Sequence, residues 1–177
     1  MRDLSMHILD ILQNSTRAGS TRVDLELAEM EDKNQLLLVC RDNGGGMDAE
    51  TVKNALNPFF TTKTTRKVGL GLPLLKQNAE RTGGTLSIDS QPQKGTVVTA
   101  VFGLCHIDRP PLGDLPGVLA LTISSNPNVH FVFHYHHSEK DFVLDTDELY
   151  QVVAPSELRH PQMIGCLKEM IEENMEQ

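Results

Sequence analysis

The sequence predicts an α/β (α+β) two-layer sandwich, in which a mixed, mostly antiparallel sheet is covered by helices on one face. Val23, Leu25 and Leu27 alternate with charged residues, which is the pattern of a strand with one buried face. The apolar residues of 3–18 recur instead at helical spacing. Further strand-like runs come in pairs between helical segments. A small C-terminal α+β appendage follows this layered unit.

The individual elements follow from the same two periodicities. Leu4, Ile8 and Ile11 form an apolar stripe that predicts the first helix. Alternating or β-branched runs between glycines predict the strands. In chain order we expect helix 3–18, strand 21–29, strand 35–42, helix 48–56, a long loop to 69, helix 70–82, strand 84–90 and strand 95–103.

A stretch rich in proline and glycine predicts a domain boundary. We expect a main domain at 1–103, a linker at 104–116, and a small acidic α+β domain of unknown role at 117–177. The last part reads as a helix at 118–123, a strand at 129–137 that pairs with 142–144, and a final helix over about 161–175.

The charge of the chain is concentrated in that last part. The formal net charge is −8, and residues 104–177 hold 4 basic against 12 acidic side chains. Such an excess repels phosphate backbones, so we expect no nucleic-acid partner. A basic protein surface is a better match, although acidic surfaces also serve solubility alone.

The chain has the composition of a cytoplasmic protein. No apolar run approaches the about 20 residues that a membrane helix needs, so we expect no membrane insertion. The start of the chain lacks an apolar signal region. Its 3 cysteines form no Cys-x-x-Cys pair, which favours reduced thiols, and Cys40 is expected in the core.

Three segments carry possible chemistry. Residues 42–47, Asp-Asn-Gly-Gly-Gly-Met, follow the apolar run 36–40. Their glycines would let a ligand approach the backbone, and the Asp42 carboxylate could accept a hydrogen bond from an exocyclic amine. By itself this segment is also typical of an ordinary turn.

The first helix and a later loop supply the other two segments. Asp10 and Asn14 share a polar helix face flanked by His7 and Arg17, and an Asn oxygen suits Mg²⁺. A solvated face is the alternative. Residues 57–72 place hydroxyls, cations and glycines before a helix, which suits a triphosphate, although a mobile basic loop could look similar.

In combination, the ordered motifs resemble the Bergerat-fold or GHKL ATPases over residues 1 to about 103, which would make this part a histidine kinase-like ATP-binding domain. The family includes sensor histidine kinases, DNA gyrase B, the heat-shock chaperone and mismatch-repair ATPases. Asn14 resembles the N-box metal ligand, 42–47 the G1 box, 58–63 the F box and 69–72 the G2 box of the ATP lid. Gly83 to Leu86 and Gly95-Thr96 resemble the last strands, with Thr96 near Asp42.

The resemblance implies ATP and Mg²⁺ as ligands, with Asn14 as the metal ligand and Asp42 reading the adenine amino group. It implies Asp10 and Lys63 as catalytic residues. The implied nucleotide-binding residues are Asn14, Asp42, Gly44, Gly46, Met47, Phe60, Thr62, Lys63, Lys67, Gly69, Leu70, Gly71, Leu72 and Thr96. The chain departs from the family pattern at Lys67, where a glycine is usual, and at Asp10, where hydrolysing members carry Glu.

The resemblance implies a kinase that transfers the ATP γ-phosphate to a partner protein, on histidine or serine. The chain lacks the dimerisation helices and phosphoacceptor box of full sensor kinases, so we expect the acceptor in another chain, with a homodimer possible. A slow ATPase switch or a non-catalytic nucleotide-binding regulator are the alternatives. The whole chain also resembles small stand-alone ATP-binding proteins of anaerobic bacteria.

Four histidines lie outside these motifs, at positions 130, 134, 136 and 137. His134 and His136 would share one face of a strand and could chelate a metal. No cysteine or carboxylate stands at a clear companion position in the sequence. We therefore expect solvated histidines on an edge strand.

Overall fold

The computed structural model describes residues 3–57 and 71–176. The helices and strands predicted on these residues are present, with ends shifted by a few positions. Their bounds are α1 Leu4–Arg17, β1 Arg22–Met30, β2 Gln35–Asp42, α2 Ala49–Ala55, α3 Gly71–Arg81, β3 Thr85–Gln91, β4 Gly95–Gly103, α4 Leu115–Ser125, β5 His130–His137, β6 Lys140–Asp145, α5 Thr146–Val152 and α6 Pro161–Glu176. The sequence analysis did not foresee α5.

The strands form one mixed, six-stranded sheet in the order β3-β4-β2-β1-β5-β6. Four neighbouring pairs are antiparallel, and only β1 and β5 run parallel. The α/β two-layer fold predicted from the sequence is therefore confirmed. In the described residues no helix has the length and apolar character required to cross a bilayer.

The sheet continues across the predicted domain boundary. β5 pairs with β1 along its whole length, from Arg22 opposite His130 to Glu29 opposite His137. The division of the chain at 104–116 stays a prediction, but strands from both sides of it share one sheet. β5 lies between β1 and β6, so the expectation that its histidines stand on an edge strand is wrong.

The segment between β4 and α4 is held against the first helix. The carbonyl of Pro111 accepts a hydrogen bond from the Leu4 N–H, and that of Leu112 accepts one from Ser5, both at 2.9 Å. These bonds satisfy two N–H groups of the first turn of α1, which have no partner within the helix. The predicted linker therefore closes the N-terminal end of α1.

Helix α1 begins and is oriented by its own sequence. Asp3 caps it, because its carboxylate accepts the Met6 N–H at 2.9 Å. Leu4, Ile8 and Leu12 are fully buried along one face. Since they lie four residues apart, that face packs on the core, and the adjoining face carries Asp10 and Asn14.

The core lies between the helices and one face of the sheet. Leu25 and Leu27 of β1 and Phe133 of β5 are buried there with Ile8 of α1 and Leu119 of α4. Burying side chains of this size contributes roughly 1.5–3 kcal/mol each. One cluster thus includes residues from both sides of the predicted boundary. Cys40, expected in the core, is 1% exposed.

The shared core predicts one cooperative unfolding unit. Phe133 is 2% exposed, so Phe133→Ala should lower the free energy of unfolding by about 3–5 kcal/mol by leaving a cavity. Urea unfolding should be followed by far-ultraviolet circular dichroism and by tyrosine fluorescence. Both tyrosines, Tyr135 and Tyr150, lie after residue 116, so fluorescence reports on the C-terminal part.

Val143→Ala on the neighbouring strand is the matched control, because Val143 is 53% exposed and its truncation should cost less than about 1 kcal/mol. In wild type and in each variant, the circular dichroism and the tyrosine fluorescence should have the same urea midpoint. A tyrosine transition separate from the circular dichroism transition would show two independent domains instead.

Candidate active site

The Asp42 carboxylate, at the end of β2, is fixed by three donors. The Ser15 hydroxyl donates to Oδ2 at 2.9 Å, and Oδ1 accepts from the Ser20 hydroxyl at 3.2 Å and the Gly44 N–H at 2.9 Å. A carboxylate can accept about four hydrogen bonds. Asp42 is only partly buried, so this carboxylate is oriented by the protein and can still accept a hydrogen bond from a ligand.

The glycine loop after Asp42 is attached to two other parts of the chain. The Gly45 N–H donates to the Ala18 carbonyl at 2.9 Å, and the Gly45 carbonyl accepts from Gln93 in the β3–β4 turn at 2.7 Å. Asn43 binds the start of β1, since its Oδ1 accepts from the Thr21 and Arg22 N–H groups. The loop is therefore a rigid part of the sheet end.

Gly46 and Met47 place the loop against the turn between β3 and β4. Gly46 has φ +65°, and a Cβ there would lie 1.9 Å from the Gln91 carbonyl oxygen. Because both the conformation and the contact exclude a side chain, only glycine fits. The Met47 N–H donates to the Ser90 hydroxyl at 2.8 Å.

Thr96 lies beside Asp42, as the sequence analysis expected of its position. The β2–β4 register pairs these two residues directly. Ser90 extends the contact, with its hydroxyl 2.9 Å from that of Thr96. The polar groups of three strands thus meet at one end of the sheet.

Asp10 and Asn14 form the second half of the site. The Asn14 amide NH₂ donates to Asp10 Oδ2 at 3.3 Å, which directs the amide oxygen away from Asp10. Burial raises the pKa of Asp10, and the charge-stabilising contacts of Asn14 and Arg17 only partly oppose it. Since Ser15 follows Asn14 and binds Asp42, α1 joins both halves of the site.

The start of α3 packs directly on Asp10. A Cβ at Gly71, the first residue of α3, would lie 1.9 Å from Asp10 Oδ2. Leu72 beside it is partly buried and packs against the core. A helix N-terminus favours anions, so the start of α3 stabilises the negative charge of the Asp10 carboxylate that packs against it.

His7 is buried on the same side of α1, one turn before Asp10. Its Nε2 lies 2.9 Å from the Asn78 amide nitrogen of α3. With that amide as donor, Nε2 accepts and the proton is on Nδ1. Burial lowers the pKa of His7 to about 4, so the ring is neutral at pH 7.

The structure describes some of the predicted site residues and not others. Gly44, Gly46, Met47, Gly71, Leu72 and Thr96 lie around Asp10, Asn14 and Asp42 as described above. The remaining ones lie outside the described residues: Phe60, Thr62, Lys63, Lys67, Gly69 and Leu70.

The sequence analysis missed the residues that hold the site together. Ser15, Ser20 and Ser90 each donate to or accept from a site residue, and Asn43 and Asn78 fix the loop and α3. Ser15 could have been suspected because it follows Asn14 directly. The others are far apart in sequence and belong to no recognisable spacing, so only the fold brings them together.

The residues present fit a nucleotide and a divalent cation. Asp42 offers an oriented acceptor to an amine, and Asn14 offers a neutral oxygen of the kind that Mg²⁺ accepts. The family profile described as "Histidine kinase-, DNA gyrase B-, and HSP90-like ATPase" matches residues 2–105. The chain belongs to this family. It is an ATP-binding, histidine kinase-like GHKL domain.

Similar proteins agree with this assignment. A sensor histidine kinase of Bacillus subtilis, YvrG, is 30% identical over 97 residues, which are 52% of this chain and 17% of that kinase. The C4-dicarboxylate transport sensor protein DctB of Pseudomonas aeruginosa is 36% identical over 92 residues, which are 51% of this chain and 14% of DctB. This GHKL chain therefore matches only a small part of the length of these relatives.

A solved structure extends the likeness beyond the family profile. The N-terminal domain of a DNA repair protein shares 15% identity with this GHKL chain and has a TM-score of 0.61. The likeness covers 90% of this chain and 55% of that protein, so it continues past residue 105. At this identity it shows the fold alone.

The buried neutral His7 predicts a pH-dependent stability. The unfolded side chain takes up a proton near the ordinary histidine pKa of 6.5, whereas burial lowers the pKa of the folded one to about 4. Between these values the unfolded state binds more protons, so stability is complete above pH 6.5 and is lost as the pH falls. From about pH 7.5 to about 5.5 this group should remove about 1–2 kcal/mol from the free energy of unfolding.

The measurement is urea unfolding at both pH values for wild type and His7→Gln. Gln can still accept from Asn78 but does not titrate, so the variant should lose less stability on acidification. All other titrating groups are shared and cancel in the comparison. Equal losses in the two proteins would show that His7 is not buried as a neutral group.

Proposed function

We propose that this domain binds Mg-ATP and transfers the γ-phosphoryl group to a partner protein. The observation that carries the proposal is the arrangement on α1. Ser15 holds the Asp42 carboxylate, while Asn14 and Asp10 present an amide oxygen and a carboxylate from the adjoining turn. The single helix α1 thereby sets the distance between Asp42, which would bind the adenine base, and Asn14 and Asp10, which would lie near the phosphates.

Asp42 is proposed to read adenine. Its two oxygens already accept from Ser15, Ser20 and Gly44, which fixes the direction of the remaining lone pair. An adenine amino group can donate to it, whereas a guanine oxygen at the same place would meet a negative charge. The glycines that follow keep side chains away from the space beside this carboxylate.

Asn14 is proposed to hold Mg²⁺ through its amide oxygen, because the amide NH₂ is engaged by Asp10. When bound with ATP, the ion supplies positive charge that neutralises the phosphate oxygens. The N-terminus of α3, which packs on Asp10, adds further stabilisation of negative charge.

Asp10 is proposed to orient the acceptor and take its proton. In the transfer, the bond between the γ-phosphorus and the bridging oxygen breaks, a bond to the acceptor atom forms, and the acceptor proton passes to Asp10. A pKa raised by burial makes this carboxylate a better base near neutral pH. Lys63 and Lys67 are proposed to stabilise charge on the phosphates, as the family resemblance implies.

A protein is the proposed phosphoacceptor or regulated target. YvrG, to which this chain is similar, is a sensor histidine kinase, and we propose that this chain likewise acts on a protein. The acidic excess of residues 104–177 favours a basic protein surface over nucleic acid. A cytoplasmic location and a homodimer remain part of this proposal.

A slow ATPase switch is the second candidate, and one set of contacts favours it. Asn43 of the glycine loop accepts from the Thr21 N–H, and the Thr21 carbonyl accepts from the His130 N–H at 2.9 Å. The loop that would contact nucleotide is therefore hydrogen-bonded through one residue to β5. A nucleotide that favours one conformation of the glycine loop would therefore also favour one conformation of the C-terminal strands.

The adenine assignment predicts the effect of Asp42→Asn. The amide keeps one acceptor oxygen and replaces the other with an NH₂ group, which cannot accept a hydrogen bond from a serine hydroxyl or from the adenine amine. Losing a charged hydrogen bond costs about 1.5–3 kcal/mol, so the ATP dissociation constant should rise about 10- to 100-fold. Isothermal titration calorimetry with Mg-ATP measures it.

Asp89→Asn is the matched control, since Asp89 is exposed on β3 and should leave affinity unchanged. Asn14→Ala should weaken binding in Mg²⁺ and leave the weak binding in EDTA unaltered. Wild-type affinity in Asp42→Asn and Asn14→Ala would refute the site.

The role of Asp10 is separated from binding by Asp10→Asn. The variant keeps the shape that packs against Gly71 but loses the base, so Mg-ATP affinity should stay within about threefold while turnover falls roughly 10²- to 10⁴-fold. Turnover is followed with γ-labelled ATP, with and without an extract of the source cells.

The destination of the label distinguishes the candidates. Label on an extract protein that disappears with Asp10→Asn supports a kinase, whereas free phosphate alone supports the ATPase switch. Asp10→Glu, which keeps a carboxylate, should retain part of the activity. ATP binding with no turnover in any condition would leave the non-catalytic regulator as the function.

A further inference from the structure

The structure brings together a group of ligand-type side chains away from the nucleotide site. In the described ranges, His130, Asp145 and Asp147 form one group whose possible ligand atoms all lie within 4.8 Å of one another. His130 begins β5, Asp145 ends β6, and Asp147 lies in the first turn of α5. The sequence gives no hint of this group, because fifteen or more residues separate the histidine from its companions.

The contacts surround the imidazole on both sides. His130 Nε2 lies 2.8 Å from Asp145 Oδ1, and Nδ1 lies 3.4 Å from Asp147 Oδ2. A neutral imidazole can offer a proton at one nitrogen and a lone pair at the other. A carboxylate therefore faces the lone-pair side of the ring whichever nitrogen is protonated, an arrangement that is repulsive unless a proton or a metal ion lies between them.

The charge around the ring also favours a cation. Arg22, opposite His130 in the β1–β5 register, directs two hydrogen bonds of 2.9 and 2.7 Å to Asp24. The charges of Asp145 and Asp147 also raise the pKa of Arg22, so this one guanidinium faces three carboxylates. Negative charge therefore remains beside the ring for a bound cation to balance.

The ligands are held by regular structure and remain accessible. The Phe131 N–H donates to the buried Thr146 hydroxyl at 3.0 Å, which fixes the start of β5 against the start of α5. Asp145 caps α5 by accepting the Asp147 N–H at 2.8 Å. The side chain of His130 is 21% exposed and that of Asp147 is 69% exposed, so an ion can enter from solvent and Asp147 can adjust.

We propose that His130, Asp145 and Asp147 bind a divalent transition ion such as Zn²⁺, with water completing the coordination. One imidazole nitrogen and two carboxylates are a donor set that suits Zn²⁺, whereas Mg²⁺ prefers oxygen ligands alone. The ion would connect β5, β6 and α5, and β5 is joined to the glycine loop through Thr21. This site is distinct from the proposed magnesium site at Asn14.

The test is calorimetric titration of Zn²⁺ into the chain of residues 1–177, free of metal and nucleotide. Cys105 and Cys166 are exposed, so both are replaced by Ser to exclude binding by thiolates. We expect one ion per chain with a micromolar or lower dissociation constant. His130→Asn and Asp147→Asn should each weaken binding at least about tenfold, while millimolar Mg²⁺ should not compete.

His134→Asn is the matched control, because His134 is an exposed histidine on the same strand and should leave affinity unchanged. Asp147→Asn changes an exposed side chain, so it tests the site even if His130→Asn fails to fold. The proposal is overturned if Zn²⁺ does not bind, or if His130→Asn and Asp147→Asn bind it as tightly as the parent chain.

Discussion

The candidate active site depends on the attachment of α1 to the end of β2. Ser15 donates to Asp42, and the single proton of the Ser20 hydroxyl is shared between the Ser15 carbonyl at 2.7 Å and Asp42 at 3.2 Å. A carboxylate at the end of a strand would otherwise rotate in solvent. Because three donors fix it, the strand that carries Asp42 and the helix that carries Asn14 keep one relative position. The proposed distance between the adenine and phosphate ends follows from this constraint.

The same helix combines packing and chemistry without using the same residues for both. Its apolar stripe is fully buried, whereas Asp10 and Asn14 lie on the adjoining face. His7 has features of both faces, because it is buried like a core residue but also hydrogen-bonds Asn78 of α3. The contact holds α3 against α1 at the place where Gly71 meets Asp10. Burial lowers the pKa of His7 and raises that of Asp10, because it disfavours the charged form of each side chain.

The C-terminal strands are connected to the glycine loop of the candidate site. β5 lies directly beside β1, and Thr21 and Asn43 connect the glycine loop with the start of β5 through hydrogen bonds. The proposed metal group begins at that same end of β5. The glycine loop and the His130 group are thus chemically separate but are linked by hydrogen bonds through Thr21. Through these bonds a ligand at one place can influence the other.

The sequence by itself determined the type and order of most helices and strands, because apolar period and glycine positions report on local backbone and burial. It also predicted Asn14, Asp42 and the glycine loop as site residues, because their motifs are contiguous. The tertiary structure decided which distant side chains meet. Ser20, Ser90 and Asn78 hydrogen-bond residues of the candidate active site, and β5 joins β1 in parallel although it follows much later in the chain. Such pairings depend on how elements pack in space, which no local pattern of residues encodes.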